Sequence, residues 1–325
     1  MKSGCLCGAA DERKTNKEEF MIIVTVCKLL MALAVGYYLN KKDIFTKEVN
    51  QKLCTFVIEV CLPLIILTSL SEADGDMSKG LLIKFVLTGG AFYCLLPFIA
   101  KGINVLTRIP KEDRPVYEQF YIFGNTLYMG YPVAASLYGT GCIFHLSIFH
   151  LGFDILYYTY ARWQICKGAG TAGGKLSLRE LLNPGTVASL MALAMFFTGV
   201  KMPGGAAEVC NFIGEMASPL SMVVIGANIG TYSVKSIFRC DKKLYLVAAI
   251  RLLIFPVVVY AVMTLLGFDG IFRGSAVISL GMPVAAMVSM GCTEQGYKEE
   301  LASAGVILTT LLSLPMVPVL LTVMG

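Results

Sequence analysis

Residues 130–135 read Gly130-Tyr131-Pro132-Val133-Ala134-Ala135, and residues 281–286 read Gly281-Met282-Pro283-Val284-Ala285-Ala286, so five of the six positions agree. Both hexamers lie inside long apolar runs. Proline removes a backbone donor there and clashes with the preceding turn, and glycine two positions earlier loosens the same turn. The reading predicts two interrupted apolar helices, alike in sequence and far apart in the chain, and the fold depends on them.

The rest of the chain says in what medium those helices sit. Of 325 residues, 56% are hydrophobic and 15% charged, and the mean hydropathy is +0.70. A soluble domain carries about 25% charged residues, so this chain cannot coat a water-facing surface. An ordinary cytosolic enzyme, a disordered tail and a nucleic-acid module are excluded. A membrane-spanning helix needs about 20 mostly apolar residues. Ten such stretches are expected, near 20–39, 53–70, 81–100, 116–137, 143–163, 184–200, 211–230, 244–266, 271–291 and 299–324.

Counted along these stretches, the two hexamers lie in the fourth and the ninth. Pro63 in the second has a counterpart at Pro219 in the seventh, each followed by leucine, and Pro97 in the third answers Pro256 in the eighth. A repeat of five spans re-enters the membrane from the opposite side. The expected fold is therefore an all-α polytopic membrane protein of ten transmembrane helices, a 5+5 inverted repeat with helices 4 and 9 broken and crossing. The segments are a polar tail at 1–19, a first repeat at 20–163, a glycine-containing linker at 164–183 and a second repeat at 184–325. Inverted repeats with broken helices at the midplane are the plan of many secondary transporters. The amides freed at a half-helix N-terminus favour negative charge, and a broken helix in lipid must be shielded by protein or line a cavity.

Loop charge sets the expected orientation. The connections after the odd-numbered stretches, flanking residues included, hold 17 Lys and Arg against 7 on the other side, tail included. The odd loops are expected to be cytoplasmic and both termini outside, in a plasma-membrane protein. The tail has mixed charge and no apolar signal region, so it reads as disordered, or else translation begins at Met21. The eleven cysteines form no CxxC pair, which points to no metal, no cofactor and no disulfide framework.

The stretch Gly124-Asn125-Thr126-Leu127-Tyr128-Met129-Gly130-Tyr131-Pro132 resembles the NTLxMGxP segment of the auxin efflux carrier family, plant PIN carriers and bacterial organic-acid permeases together. Asn183-Pro184, Ser218-Pro219-Leu220 with Gly226, and Ser303-Ala304-Gly305 before Leu314-Pro315 support the likeness, which runs from Met21 to the end. The resemblance implies ten helices in the five-plus-five arrangement, a scaffold and a moving transport unit in an elevator cycle, and a carboxylate substrate. That substrate is auxin in plants and malate, malonate or lactate in bacterial relatives. The short connection after the fifth stretch is of the bacterial type. In the family the asparagine matching Asn125 contacts the substrate carboxylate.

The substrate residues expected are Asn125, Gly130, Pro132, Gly281 and Pro283, with Ser279 contributing. Asn125, two helical turns before Pro132, is read as sharing its face. Asp154 lies within the fifth stretch, and a carboxylate at that depth is a functional hypothesis by default. It either binds a co-transported proton or the substrate, or it pairs with Arg251 or Lys28. Glu59 is a weaker case of the same kind. Asn228 is left even between packing and the substrate path, whereas Gly226 and Gly230 read as packing residues. Arg251 reads as holding a carbonyl or Asp154, or else attracting an anion. His145 and His150, five apart, miss the i, i+4 metal pattern and read as interfacial. Tyr157, Tyr158, Tyr160 and Trp163 read as an interface belt.

The leading function is a secondary transporter for a small organic anion, with protons the expected partner and a homodimer left open. The alternatives are a sodium-coupled carrier of the bile-acid type, an intramembrane enzyme using Asp154 and His150, and a channel or sensor. No HExxH, GxSxG or GxxxxGK[ST] occurs, so the chain is not read as an enzyme.

Overall fold

The computed structural model describes residue 24 and residues 27–73, 78–171, 182–231 and 241–324. The polar tail at 1–19 and most of the expected linker at 164–183 lie outside the described residues. What is described is helical almost throughout, and among the described residues there is no strand.

The helices, in chain order, are α1 (27–41), α2 (Lys47–Phe56), α3 (Leu62–Glu72), α4 (Lys79–Leu106), α5 (Arg114–Ile122), α6 (Tyr131–Tyr138), α7 (Cys142–Leu156), α8 (Arg162–Ala169), α9 (Pro184–Thr198), α10 (Gly204–Gly214), α11 (Ala217–Thr231), α12 (Lys242–Ala249), α13 (Phe255–Leu265), α14 (Gly270–Gly281), α15 (Ala286–Glu294) and α16 (Glu299–Met324). Their starts follow local capping rules. The Ser78 hydroxyl accepts the Leu81 amide at 3.1 Å, and the Asn183 carboxamide accepts that of Thr186 at 2.9 Å. The stops at Gly170 and Gly199 use left-handed residues, φ 69° and 73°, which glycine adopts without cost.

Among the described residues, four stretches are long and apolar enough to cross a membrane: Glu48–Ser71, Lys79–Leu106, Gly204–Thr231 and Lys242–Leu265. Two of them contain a π turn, Val57–Cys61 between α2 and α3 and Ile250–Ile254 between α12 and α13. A third π turn, Thr126–Gly130, leads into α6. In all three the residue after the turn donates to the carbonyl five positions back, Leu62 to Val57, Tyr131 to Thr126 and Phe255 to Ile250. A proline follows at once: Pro63, Pro132 and Pro256. The wider turn gives room to the ring, which would otherwise strike the carbonyl four residues earlier.

Two hydrophobic clusters form. One gathers Phe85, Tyr93, Phe120, Phe149 and Val277 from α4, α5, α7 and α14. The other gathers Leu62, Val133, Ile148, Ile225 and Ile278 from α3, α6, α7, α11 and α14. Helix α14 feeds both through neighbouring residues, because consecutive helical positions point about 100° apart. Helix α1 lies against α11 with the backbones nearly touching. A Cβ on Gly36 would overlap the Val223 carbonyl, and one on Gly226 would overlap that of Leu33. The packing role read for Gly226 is the one seen, since small residues let membrane helices approach this closely.

Candidate binding site at the crossing of two broken helices

Helix α5 ends at Phe123, whose backbone is extended (φ −100°, ψ 110°), and α14 ends at Met282 in the same region (φ −71°, ψ 154°). Beyond these ends the two chains cross as an antiparallel pair centred on Gly124 and Val284. The Asn125 amide donates to the Pro283 carbonyl at 2.7 Å, and the Ala285 amide to that of Phe123 at 3.0 Å. The Val284 amide donates to the Thr309 hydroxyl at 3.1 Å. These residues are buried, and buried backbone groups require partners; each interrupted helix supplies them to the other.

The crossing does not fall where both prolines predict it. Pro283 lies within the second break, but Pro132 sits at the second position of α6. The first break is upstream, at Phe123–Asn125, because the π turn lets the chain absorb Pro132 inside a helix. The matching hexamers therefore occupy unlike backbone positions. Asn125 precedes that turn with φ −76° and ψ 60°, outside any helix, so the helical face it was read as sharing with Pro132 does not exist.

The remaining candidates group around the crossing. Asn125 is 7% exposed, and among the described residues its carboxamide has no hydrogen-bond partner. The Thr126 hydroxyl donates to the Ser279 carbonyl at 3.2 Å. The Ser279 hydroxyl lies 3.5 Å from that of Tyr93. Gly130 and Gly281 serve close packing: a Cβ on Gly130 would meet Ile278 at 3.3 Å, and one on Gly281 would meet the Pro256 ring at 2.8 Å. A cavity of about 190 Å³ opens beside Leu127, Tyr131 and Pro132, walled by Leu62, Glu215 and Ser218.

Arg251 lies fully buried in the Ile250–Ile254 turn. Its Nε donates to the Met282 carbonyl at 2.6 Å, and its Nη1 to the carbonyls of Phe120 and Tyr121 at 2.9 and 2.8 Å. The cation thus spans the C-terminal ends of α5 and α14, where carbonyl dipoles converge. Of the readings left open for it, the carbonyl clasp is the one seen. Its Nη2 has no partner.

Asp154 pairs with neither Arg251 nor Lys28. Its Oδ2 accepts the Thr186 hydroxyl at 2.7 Å, and His150 Nε2 stands 3.7 Å from Oδ1. Thr186 belongs to the first turn of α9, so the carboxylate sits at a helix N-terminus. His150 is buried in the protein: it is 4% exposed and stacks on Phe153 with ring centroids 4.2 Å apart. His145 is buried as well, edge-on to Phe272 at 4.8 Å. Asn228 accepts from the Asn50 carboxamide at 2.7 Å, a contact between α11 and α2. Glu59 is exposed. Tyr157 is no belt residue either, since it is buried and donates to the Met287 carbonyl at 2.7 Å in the first turn of α15.

One buried cluster escaped the sequence reading. Glu118 Oε2 accepts from the Tyr160 hydroxyl and from Gln164 Nε2, both at 2.6 Å. The adjacent Gln119 is fully buried with no hydrogen bond to its carboxamide. Two polar residues between the apolar Val116-Tyr117 and Phe120-Tyr121 were the available signal.

A family model described as membrane transport protein matches residues 21–167 and 171–321. An uncharacterized transporter of Methanothermobacter thermautotrophicus is 24% identical over 299 residues, 90% of this chain and 95% of its own. A Rhizobium meliloti protein, provisionally named a malonate transporter, is 22% identical over 82% of this chain and 84% of its own. An uncharacterized transporter of Methanocaldococcus jannaschii is 22% identical over 88% of this chain and 93% of its own.

Proposed function

Because the chain belongs to the membrane transport protein family, that of the auxin efflux carriers, we propose that it is a secondary active transporter for a small organic carboxylate. The observation that carries this reading is the crossing at Gly124 and Val284. Extended backbone inside an apolar helical protein is tolerated where it is buried in protein or lines a cavity. The crossing meets its own backbone needs and leaves side-chain donors over. First-turn amides of a helix have no intrahelical partner, and both the turn after Asn125 and helix α15 begin at the crossing. Amides and a carboxamide together suit a carboxylate better than a cation or a neutral lipid.

In this reading the chain crosses the membrane ten times as two inverted five-helix units, and one unit slides against the other in an elevator cycle. Asn125 and Ser279 contact the substrate, and Pro283, which has no amide hydrogen and whose carbonyl is taken by the Asn125 amide, holds the second break open. Gly130, Pro132 and Gly281 shape the break and the cavity beside it. Asp154 carries the coupled proton, held between Thr186 and His150. Asn228 belongs to packing, through Asn50. The relative named for malonate makes a short dicarboxylate the first substrate to try.

The test is uptake of labelled malonate, malate and lactate into proteoliposomes, with pH and sodium varied independently. Accumulation above empty vesicles, driven by a pH difference and indifferent to sodium, supports the reading. Failure of every acid to enter, together with no thermal stabilisation by any, rejects the carboxylate assignment. Sodium-driven uptake turns the choice to the bile-acid type of carrier.

A further inference from the structure

Arg251 does more at the crossing than its three bonds explain. Among the described residues no carboxylate pairs with it, and its Nη2 is buried without a partner. Two helix ends, each worth roughly half a negative charge, meet its Nε and Nη1. Nη2 lies against Gly124: a Cβ there would overlap Nη2 and lie 2.8 Å from the Ser279 carbonyl. The guanidinium therefore lies against Gly124, the residue next in the chain to the unpaired Asn125 carboxamide.

Resting on the transport reading above, we propose that Arg251 is the specificity-determining charge of this site, selecting anions over neutral analogues through the Gly124 backbone without touching them. A buried unit charge a few ångströms from a binding surface acts through low-dielectric material, which screens it poorly. The same charge neutralises the C-terminal dipoles of α5 and α14, which otherwise repel an anion at the crossing. Gly124 carries no side chain because the guanidinium fills that space.

The experiment uses the full chain in detergent, with calorimetric titration of malonate and of its uncharged diamide, malonamide. The wild type is expected to prefer malonate. Arg251→Met is expected to reduce that preference by about tenfold or more, and Arg251→Lys to retain most of it, since lysine keeps the charge but not the fork. Thermal stability is expected to fall in both variants, because neither keeps the planar fork that holds the three carbonyls. Equal losses for malonate and malonamide, or equal losses in the Lys and Met variants, mean that Arg251 only holds the fold and overturn the proposal. Gly124→Ala pushes the guanidinium aside while leaving it in the chain, and it decides the matter where Arg251→Met does not fold; an unchanged malonate preference in that variant overturns the proposal too. A wild type that binds no carboxylate at all sinks the transport reading itself. A wild type that binds malonate and malonamide alike sinks only the role of Arg251.

Discussion

The Thr186 hydroxyl donates to Asp154 Oδ2 at 2.7 Å, and the amide of the same threonine is capped by Asn183. A carboxylate from α7 is thereby fixed over the first turn of α9. Asparagine at 154 keeps the shape and an acceptor but cannot take up or release a proton. Uptake by Asp154→Asn is expected to lose its dependence on external pH. Initial rates across a pH series, compared with wild type, check this, and an unaltered profile removes Asp154 from proton coupling.

Asn125 has no side-chain partner among the described residues, so its removal leaves nothing unpaired. Asn125→Ala is expected to lower stability by no more than the roughly 1 kcal/mol typical of a point substitution. A hydrogen bond to a charged ligand is worth about 1.5–3 kcal/mol, so malonate affinity is expected to drop roughly tenfold to a hundredfold. Thermal melts and titration of one sample measure both effects. A variant that melts early and binds normally contradicts the assignment.

The reverse is expected at Asn228. Its Oδ1 accepts the carboxamide of Asn50, which is 6% exposed. Asn228→Ala strands that buried donor at a cost of about 1–3 kcal/mol. Transport rate per folded molecule is expected to stay at the wild-type value. Loss of uptake without loss of stability returns Asn228 to the substrate path.

Gly226 is where α1 and α11 touch. Gly226→Val forces side-chain atoms into the Leu33 carbonyl, and overpacking of this kind costs about 1–3 kcal/mol. Earlier thermal unfolding is the expected readout. Gly205→Ala provides the control, since a Cβ on Gly205 meets nothing within 4 Å.

The helical, membrane-embedded character was legible because composition and run length report the surrounding medium directly. The glycines of α11 were legible for the same reason, small size at a helix face having one common use. Pro132 misled because proline marks a perturbed turn without saying how the chain absorbs it. The π turn Thr126–Gly130 absorbs it, and the break moves to Phe123–Asn125. The burial of His150 and Tyr157 was not legible, because their polar atoms suggest a water boundary; His150 instead stacks on Phe153 with neither ring nitrogen hydrogen-bonded, and Tyr157 donates to the Met287 carbonyl. The partners of Asp154 were hidden because Thr186 is 32 residues away and reaches it only through packing of α9 on α7.

The crossing also constrains how the chain is made. Thr126 finds its acceptor on Ser279, 153 residues downstream, and the clasp from Arg251 arrives 131 residues after Phe120. When the ribosome has released only the first of these segments, its unpaired amides have no mate inside the bilayer. A nascent chain truncated before residue 250 is therefore obliged to keep that segment wet, whether at the insertion machinery or in a transient water defect, until the distant half is born.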